Sequence, residues 1–253
     1  MIIVKSPREV TMMREAGRMV AKTLRHLESL VKVGVTTQQL NDEAEKMIVS
    51  FGAKASFKGY GGYPASICTS VNDTLIHGIP SKKEVLKNGD IIKIDIGIQY
   101  NGYHADAART YWVGNVDTSI KKLVEVTTAS FFEAFKVIRP GVYVGDLSHT
   151  IQTYVEKHGY SLPEDYTGHG VGQNLHEDPQ IPNFGRPKTG PILKAGMTLA
   201  IEPMVNLGKK DTKVLADEWT VKTKDGRWCA HYENTIVVTP TGAEILTLED
   251  QGG

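Results

Sequence analysis

A chain of 253 residues and 27.8 kDa with 40% hydrophobic, 23% charged and 8% aromatic residues has globular composition and is long enough to bury a sizeable core. Lys+Arg 29 balances Asp+Glu 29, and a net charge of +0 with a pI near 7.1 provides no field to gather DNA, RNA or anionic lipid. No run of about 18 uncharged apolar residues could span a bilayer.

The chain opens on MIIVKSPREV, with too few apolar residues before Lys5 for a signal peptide. Ser6, Pro7 and Glu9 then form a capping signature, and Val10, Met13, Val20, Leu24, Leu27 and Val31 follow at helical spacing, which predicts an amphipathic helix. Thr37 is expected to cap a second helix with Leu40, Ala44, Met47, Ile48 and Phe51 inward, stopped at Gly52. Strands from Ile91 to Tyr100 and from Tyr103 to Val113 flank Asn101-Gly102, the turn of a two-residue hairpin. A third helix is predicted from Asp117 or Thr118 through about Ile138, ended by Arg139-Pro140-Gly141, and a fourth from Gly145 to His158. Cys68 and Cys229 read as reduced thiols of a cytoplasmic chain, so the Asn72-Asp73-Thr74 sequon is a chance match.

The two helix pairs expose an internal repeat. Gly34, Val35, Leu40 and Gly52 recur as Gly141, Val142, Leu147 and Gly159, and Leu86, Gly89 and Asp95 as Leu193, Gly196 and Glu202, always 107 residues later. The expectation is a single catalytic domain over 1–253, made of half-repeats about 1–115 and 116–253, with a site at their seam.

Pairing Tyr100 with Tyr103 sets Asp95 opposite Ala108, so Asp106 projects from the same face as a diagonal neighbour unless a bulge near Gly97 intervenes. Asp95, Glu202 and Glu233 all stand among apolar strand residues, where an ionised carboxylate must be paired or bound to a cation. One such acid is ordinarily a salt-bridged structural residue; four on strands of both halves point to a metal site. Imidazole comes from His169 in TGHGVG, whose glycines imply close backbone approach, and from His176 in LHEDP. Their odd spacing requires a turn between them. His77 in LIHGIP sits in a similar setting, with Pro three positions on, whereas His26, His149 and His158 fall in helical stretches as solvated or capping residues. Gln173 breaks a dinucleotide loop, Gln180 with Pro179 breaks a zinc-protease helix, and no phosphate loop or nucleophile elbow is present.

Asp95, Asp106, His169, Glu202 and Glu233, with the HGIP, TGHGVG, LHEDP and AIEP segments in that setting, closely resemble the type I methionine aminopeptidases over nearly the whole chain. The resemblance implies an α/β (α+β) pita-bread fold: two pseudo-symmetric halves with antiparallel sheet inside and helices outside. It also implies removal of the initiator methionine from nascent proteins with a small second residue. By resemblance, Asp106 and Glu233 bridge two divalent ions, Asp95 chelates one, and His169 and Glu202 complete the other site. Four carboxylates and one imidazole suit Mn²⁺, Fe²⁺ or Co²⁺ better than a thiolate zinc site would, with Zn²⁺ a further candidate. Glu202 is then both ligand and acid/base, and His77 and His176 bind the peptide and act in catalysis without holding metal. Tyr60, Tyr63, Cys68 and Trp219 occupy positions that line the methionine pocket, while Phe57 and Leu175 depart from familiar bacterial members. The implied partners are nascent N-termini, with transient ribosome contact; a cytoplasmic monomer is expected, because the cysteines read as reduced thiols and nothing in the sequence signals an obligate interface. Two rival readings are a proline-directed aminopeptidase of the same fold and a non-catalytic peptide-binding protein. Only 76 residues precede His77, against the extra N-terminal domain of the former, and no ligand is missing, as would be expected of the latter.

Overall fold

The Ser6 hydroxyl accepts from the Glu9 N–H while the Glu9 carboxylate accepts from the Ser6 N–H, and this reciprocal cap starts helix α1 (Pro7–Leu30). In this computed structural model, which describes residues 1–248, Met13, Val20, Leu24 and Leu27 of α1 are buried, whereas Val10 and Val31 at its two ends are half-buried. Helix α2 (Thr37–Ser50) is capped by Thr36, not by Thr37, because Gln39 stands three residues after Thr36 and closes the box. The Thr37 hydroxyl turns inward and accepts from the Ser81 N–H.

Strand β1 (Lys54–Ala55), a short 3-10 turn (Tyr60–Gly62), β2 (Ile67–Val71) and β3 (Thr74–Ile76) lead to the long hairpin β4 (Ile91–Tyr100) and β5 (Tyr103–Trp112). Asn101 and Gly102 have φ of 50° and 82°, the two left-handed positions of a type I′ turn. The ladder then runs unbroken from Tyr100↔Tyr103 to Ile91↔Trp112, with Asp95 opposite Ala108 and Gly97 opposite Asp106. No bulge shifts it, so the two carboxylates keep the common face that the turn predicts. On the other edge of β4, β2 sets Cys68 opposite Asp95.

Helix α3 (Thr118–Val137) starts on an Asp117 cap, and α4 (Val144–Lys157) begins one residue earlier than expected because the Asp146 carboxylate accepts from the Tyr143 N–H. Strands β6 (Thr167–Gly170), β7 (Glu177–Pro182), β8 (Thr198–Ile201), β9 (Met204–Asn206), β10 (Thr212–Val214), β11 (Val221–Thr223), β12 (Cys229–His231), β13 (Asn234–Val238) and β14 (Ala243–Ile245) follow. They order as β14-β13-β8-β6-β7, with β9 on β12 and with β10-β11 reaching back to β3. Among the described residues all strand pairing is antiparallel.

The two largest apolar cores among the described residues lie against this framework. One packs Leu24, Leu27, Leu40 and Ile48 on Ile92, Ile94 and Ile96; the other packs Leu123, Phe131, Leu147 and Ile151 on Leu199, Ile201 and Ile236. Their details recur at the 107-residue offset: bridge Thr36↔Val85 against Tyr143↔Ile192, and the bond Gly34 N–H to Leu86 O against Gly141 N–H to Leu193 O. Gly34 and Gly141 take φ of 90° and 92°, conformations that glycine adopts without penalty.

The sheets meet where β5 runs beside the segment from β12 to β13. Glu233 N–H donates to Ala108 O, while Thr110 Oγ1 donates to His231 O and accepts from its N–H. Lys93, 1% exposed, reinforces the junction from β4, its Nζ donating to Asn72 O at 2.7 Å and Cys229 O at 3.0 Å. Among the described residues no helix is long and apolar enough to cross a membrane.

Candidate metal centre and active site

Five side chains reach one point from four segments. Asp95 and Asp106 come from the β4–β5 hairpin, and Thr235 Oγ1 lies 2.8 Å from Asp106 Oδ1 while accepting from the Asp106 N–H. His169 comes from β6, where the register with β7 shifts between His169 and Gly170. Its Nδ1 is 2.8 Å from Gly170 O; donation to that carbonyl leaves the Nε2 lone pair facing the acids. Glu202 and Glu233 were expected inside strands but stand in gaps between them, after β8 and before β13. Pro203 has no N–H to continue the ladder, and its carbonyl accepts instead from the Tyr232 N–H.

His169 Nε2 lies 3.4 Å from Asp106 Oδ2 and 3.7 Å from Glu202 Oε1. Asp106, His169 and Glu233 each offer a ligand atom, all within 4.8 Å of one another. Asp95 Oδ1 is buried with no hydrogen-bond partner. An orphaned buried carboxylate oxygen beside further acids is costly unless a cation occupies the space between them, so this donor set fits a divalent metal.

The electrostatics agree. Burial pushes the carboxyls of Asp95, Glu202 and Glu233 well above the usual range, and neighbouring acids push them further, through Asp106 at Asp95, Asp95 and Asp106 at Glu202, and Asp106 and Glu202 at Glu233. Burial also pulls His77 down to about 4; burial, then the nearby imidazoles of His169, His77 and His104, pulls His176 down to about 4. Both rings are therefore neutral donors and acceptors at pH 7.

A cleft of about 290 Å³ opens from this cluster, and every residue singled out in the sequence lines it, from Asp95, Asp106, His169, Glu202 and Glu233 to His77, His176, Tyr60, Tyr63, Cys68 and Trp219. Phe57 and Leu175 line it too. The turn required between His169 and His176 folds their rings to 4.2 Å between centroids, and His176 Nδ1 is 2.7 Å from the Tyr60 hydroxyl. His77 has φ of 58°, a strained conformation for a non-glycine residue of the kind that collects at functional sites. Its ring meets Trp219 and Tyr166 edge-on. Tyr63 donates to Gly78 O and packs against Trp219. Burial holds the Cys68 thiol protonated, so it is an apolar wall and not a nucleophile. His26, His149 and His158 lie on helical surfaces away from the cleft, with His158 capping α4.

Sequence reasoning missed Tyr166 in the cleft wall, Thr235 on Asp106, and His231, whose Nε2 is 3.6 Å from Glu202 Oε2. His231 lies two residues before Glu233, a spacing that on an extended strand shares one face, and that was the available signal.

Residues 11–240 match the model of the metallopeptidase family M24. The chain belongs to that family. This M24 peptidase is 56% identical over 247 residues to methionine aminopeptidase 1 of Bacillus subtilis, covering 98% of this chain and 99% of that one. It superposes on the crystal structure of methionine aminopeptidase from Thermotoga maritima with a TM-score of 0.97 at 48% identity, covering 98% and 100% of the two chains. An Xaa-Pro dipeptidase from Bacillus anthracis shares the fold at 23% identity and a TM-score of 0.80, with 98% of this chain matching 63% of that longer one. The resemblance read from the motifs is borne out, as is the α/β pita-bread fold that it implied.

Proposed function

We propose that this M24 metallopeptidase removes the initiator methionine from nascent proteins whose second residue is small, as a cytoplasmic monomer in transient contact with the ribosome. The observation that carries the reading is the placement of four carboxylates and one imidazole at the base of a cleft walled by Tyr63, Cys68 and Trp219. Aromatic faces and a thiol suit a flexible thioether. We also read the chain as one catalytic unit of two half-repeats, about 1–115 and 116–253, although residues 249–253 lie outside those described.

Asp95, Asp106, His169, Glu202 and Glu233 would together hold two divalent ions, Mn²⁺, Fe²⁺, Co²⁺ or Zn²⁺. Such ions supply a water acidified toward neutrality and polarise the scissile carbonyl. Glu202 takes the proton from the attacking water and returns it to the leaving amine. The neutral rings of His77 and His176 hydrogen-bond the peptide and offset the charge that builds on the former carbonyl oxygen. Tyr60, at 2.7 Å from His176 Nδ1, orients that ring.

The test is mass spectrometry of Met-Ala-Ser, Met-Lys-Ser, Leu-Ala-Ser and Ala-Pro-Ser after incubation with metal-free protein reconstituted separately with Mn²⁺, Fe²⁺, Co²⁺ and Zn²⁺. Loss of Met from Met-Ala-Ser alone is expected. Cleavage of Ala-Pro-Ser would transfer the chain to the proline-directed reading, and no cleavage with metal bound would favour a peptide-binding protein.

A further inference from the structure

Glu202 has two carboxylate oxygens in different surroundings. Oε1 faces His169 Nε2 at 3.7 Å, on the side of Asp106, whereas Oε2 faces His231 Nε2 at 3.6 Å. His231 is 1% exposed, and neither of its ring nitrogens has a hydrogen-bond partner. A buried imidazole with both nitrogens orphaned is costly, and its persistence calls for a purpose. The His231 backbone is firmly placed: Thr110 Oγ1 exchanges hydrogen bonds with its main chain, and β12 pairs His231 with Met204, two residues beyond Glu202. Asn183 Nδ2 holds the Glu202 carbonyl at 3.0 Å, so the backbones on both sides of the gap are fixed while the carboxylate is free to turn.

We propose that His231 is a positioning residue whose Nε2–H holds Oε2 of Glu202 and so keeps Oε1 turned toward His169. The separation of 3.6 Å exceeds a hydrogen bond by roughly 0.6 Å. Rotation about the last side-chain torsion of a glutamate is soft, so a turn of the carboxylate closes the gap at little cost. The alternative, His231 as a metal ligand, fits less well because the two imidazoles address opposite oxygens of Glu202, His169 on the side of Asp106 and His231 on the other. A carboxylate that must both bind and move a proton works best when its two oxygens cannot exchange roles; a donor fixed to one of them supplies that asymmetry.

The inference rests on the proposed function, and its test separates the two. Long-range ¹H–¹⁵N NMR of [¹⁵N]histidine-labelled protein, with His231→Gln to identify the signal, is expected to show the His231 proton on Nε2. A proton on Nδ1 would overturn the inference whatever the variants do. With Mn²⁺-loaded enzyme and Met-Ala-Ser, His231→Leu is expected to lose tenfold or more in kcat, within about the 10–100-fold range of outer-shell partners. KM should stay within about twofold, metal content should not change, and His231→Gln, which keeps a donor, should recover most of the rate. Loss of a bound ion from both variants would make His231 a ligand, and wild-type kcat in His231→Leu would make it a bystander; either outcome overturns positioning. Wild-type protein that leaves Met-Ala-Ser intact with every metal would instead defeat the proposed function, while the tautomer still reports on His231.

Discussion

At the scale of single residues, the roles proposed for Glu202 and His176 can be separated by substitution. Glu202→Gln keeps the size of a side chain that is mostly buried, but removes the carboxylate proposed to accept a proton, so the variant is expected to fold like the parent and to lose turnover by a factor of about 10² or more. His176→Ala removes the ring proposed to bind the peptide and is expected to lower kcat with metal affinity unchanged. Wild-type rates in the first variant would remove Glu202 from the mechanism; one ion lost from the second, by calorimetric titration, would make His176 a ligand. Asp95 and Glu202 were legible in the sequence because an acid beside aliphatic residues contradicts its surroundings, Glu233 because it precedes the aliphatic run Ile236 to Val238, and Asp106 because the Asn-Gly turn sets it beside Asp95. His231 was not: a histidine among Cys229, Ala230 and Tyr232 reads as an ordinary core residue, and its relation to Glu202 arises only when β12 is laid beside β9.

Local elements explain why His169 is so well placed. A Cβ on Gly168 would collide with Ala200 O, and one on Gly170 with Asp178 O, so β6 lies closer to its neighbours than any side chain permits. Gly170→Ala is therefore expected to cost about 1–3 kcal/mol in urea unfolding and to weaken metal binding, since β6 must lift away from β7 and carry His169 with it. A loss below about 0.5 kcal/mol would show that the strand has slack. The neighbouring turn is pinned from outside by a buried pair, Lys5 Nζ to Glu177 Oε2 at 2.5 Å, with Glu177 Oε1 accepting from the Asn174 N–H. Helices and the hairpin were legible because caps, periodicity and the Asn-Gly turn are local signals, off by a residue at Thr36 and Val144. The strand breaks at Glu202 and Glu233 depend on which strand lies opposite, which no local pattern encodes.

Across the whole molecule, the cleft makes stability depend on pH in two opposed ways. His77, His176 and His231 are pulled by burial to about 4, about 4 and about 3, so the unfolded chain binds more protons than the folded one below about 6.5, and stability falls as pH drops toward those values. Asp95, Glu202 and Glu233 are pushed up, so the folded chain holds more protons above the ordinary carboxylate range, and stability falls as pH rises through their elevated values. A divalent ion binds the ionised carboxylates and removes only the second loss. The rise in Tm on adding Mn²⁺ to metal-free protein is therefore expected to be larger at pH 8 than at pH 6; equal increments, or a larger one at pH 6, would contradict this assignment of charge. The repeat at 107 residues was visible as a list of matching letters, yet that the two cores face a common junction is a property of the assembled sheets. Lys93 at that junction has a last consequence. An amine grasped by the carbonyls of Asn72 and Cys229 is out of reach of acylating reagents while the layers stay together. The slow rate at which it becomes labelled in native protein is thus a clock for the parting of the molecule, set by how often the layers open and not by how reactive the lysine is.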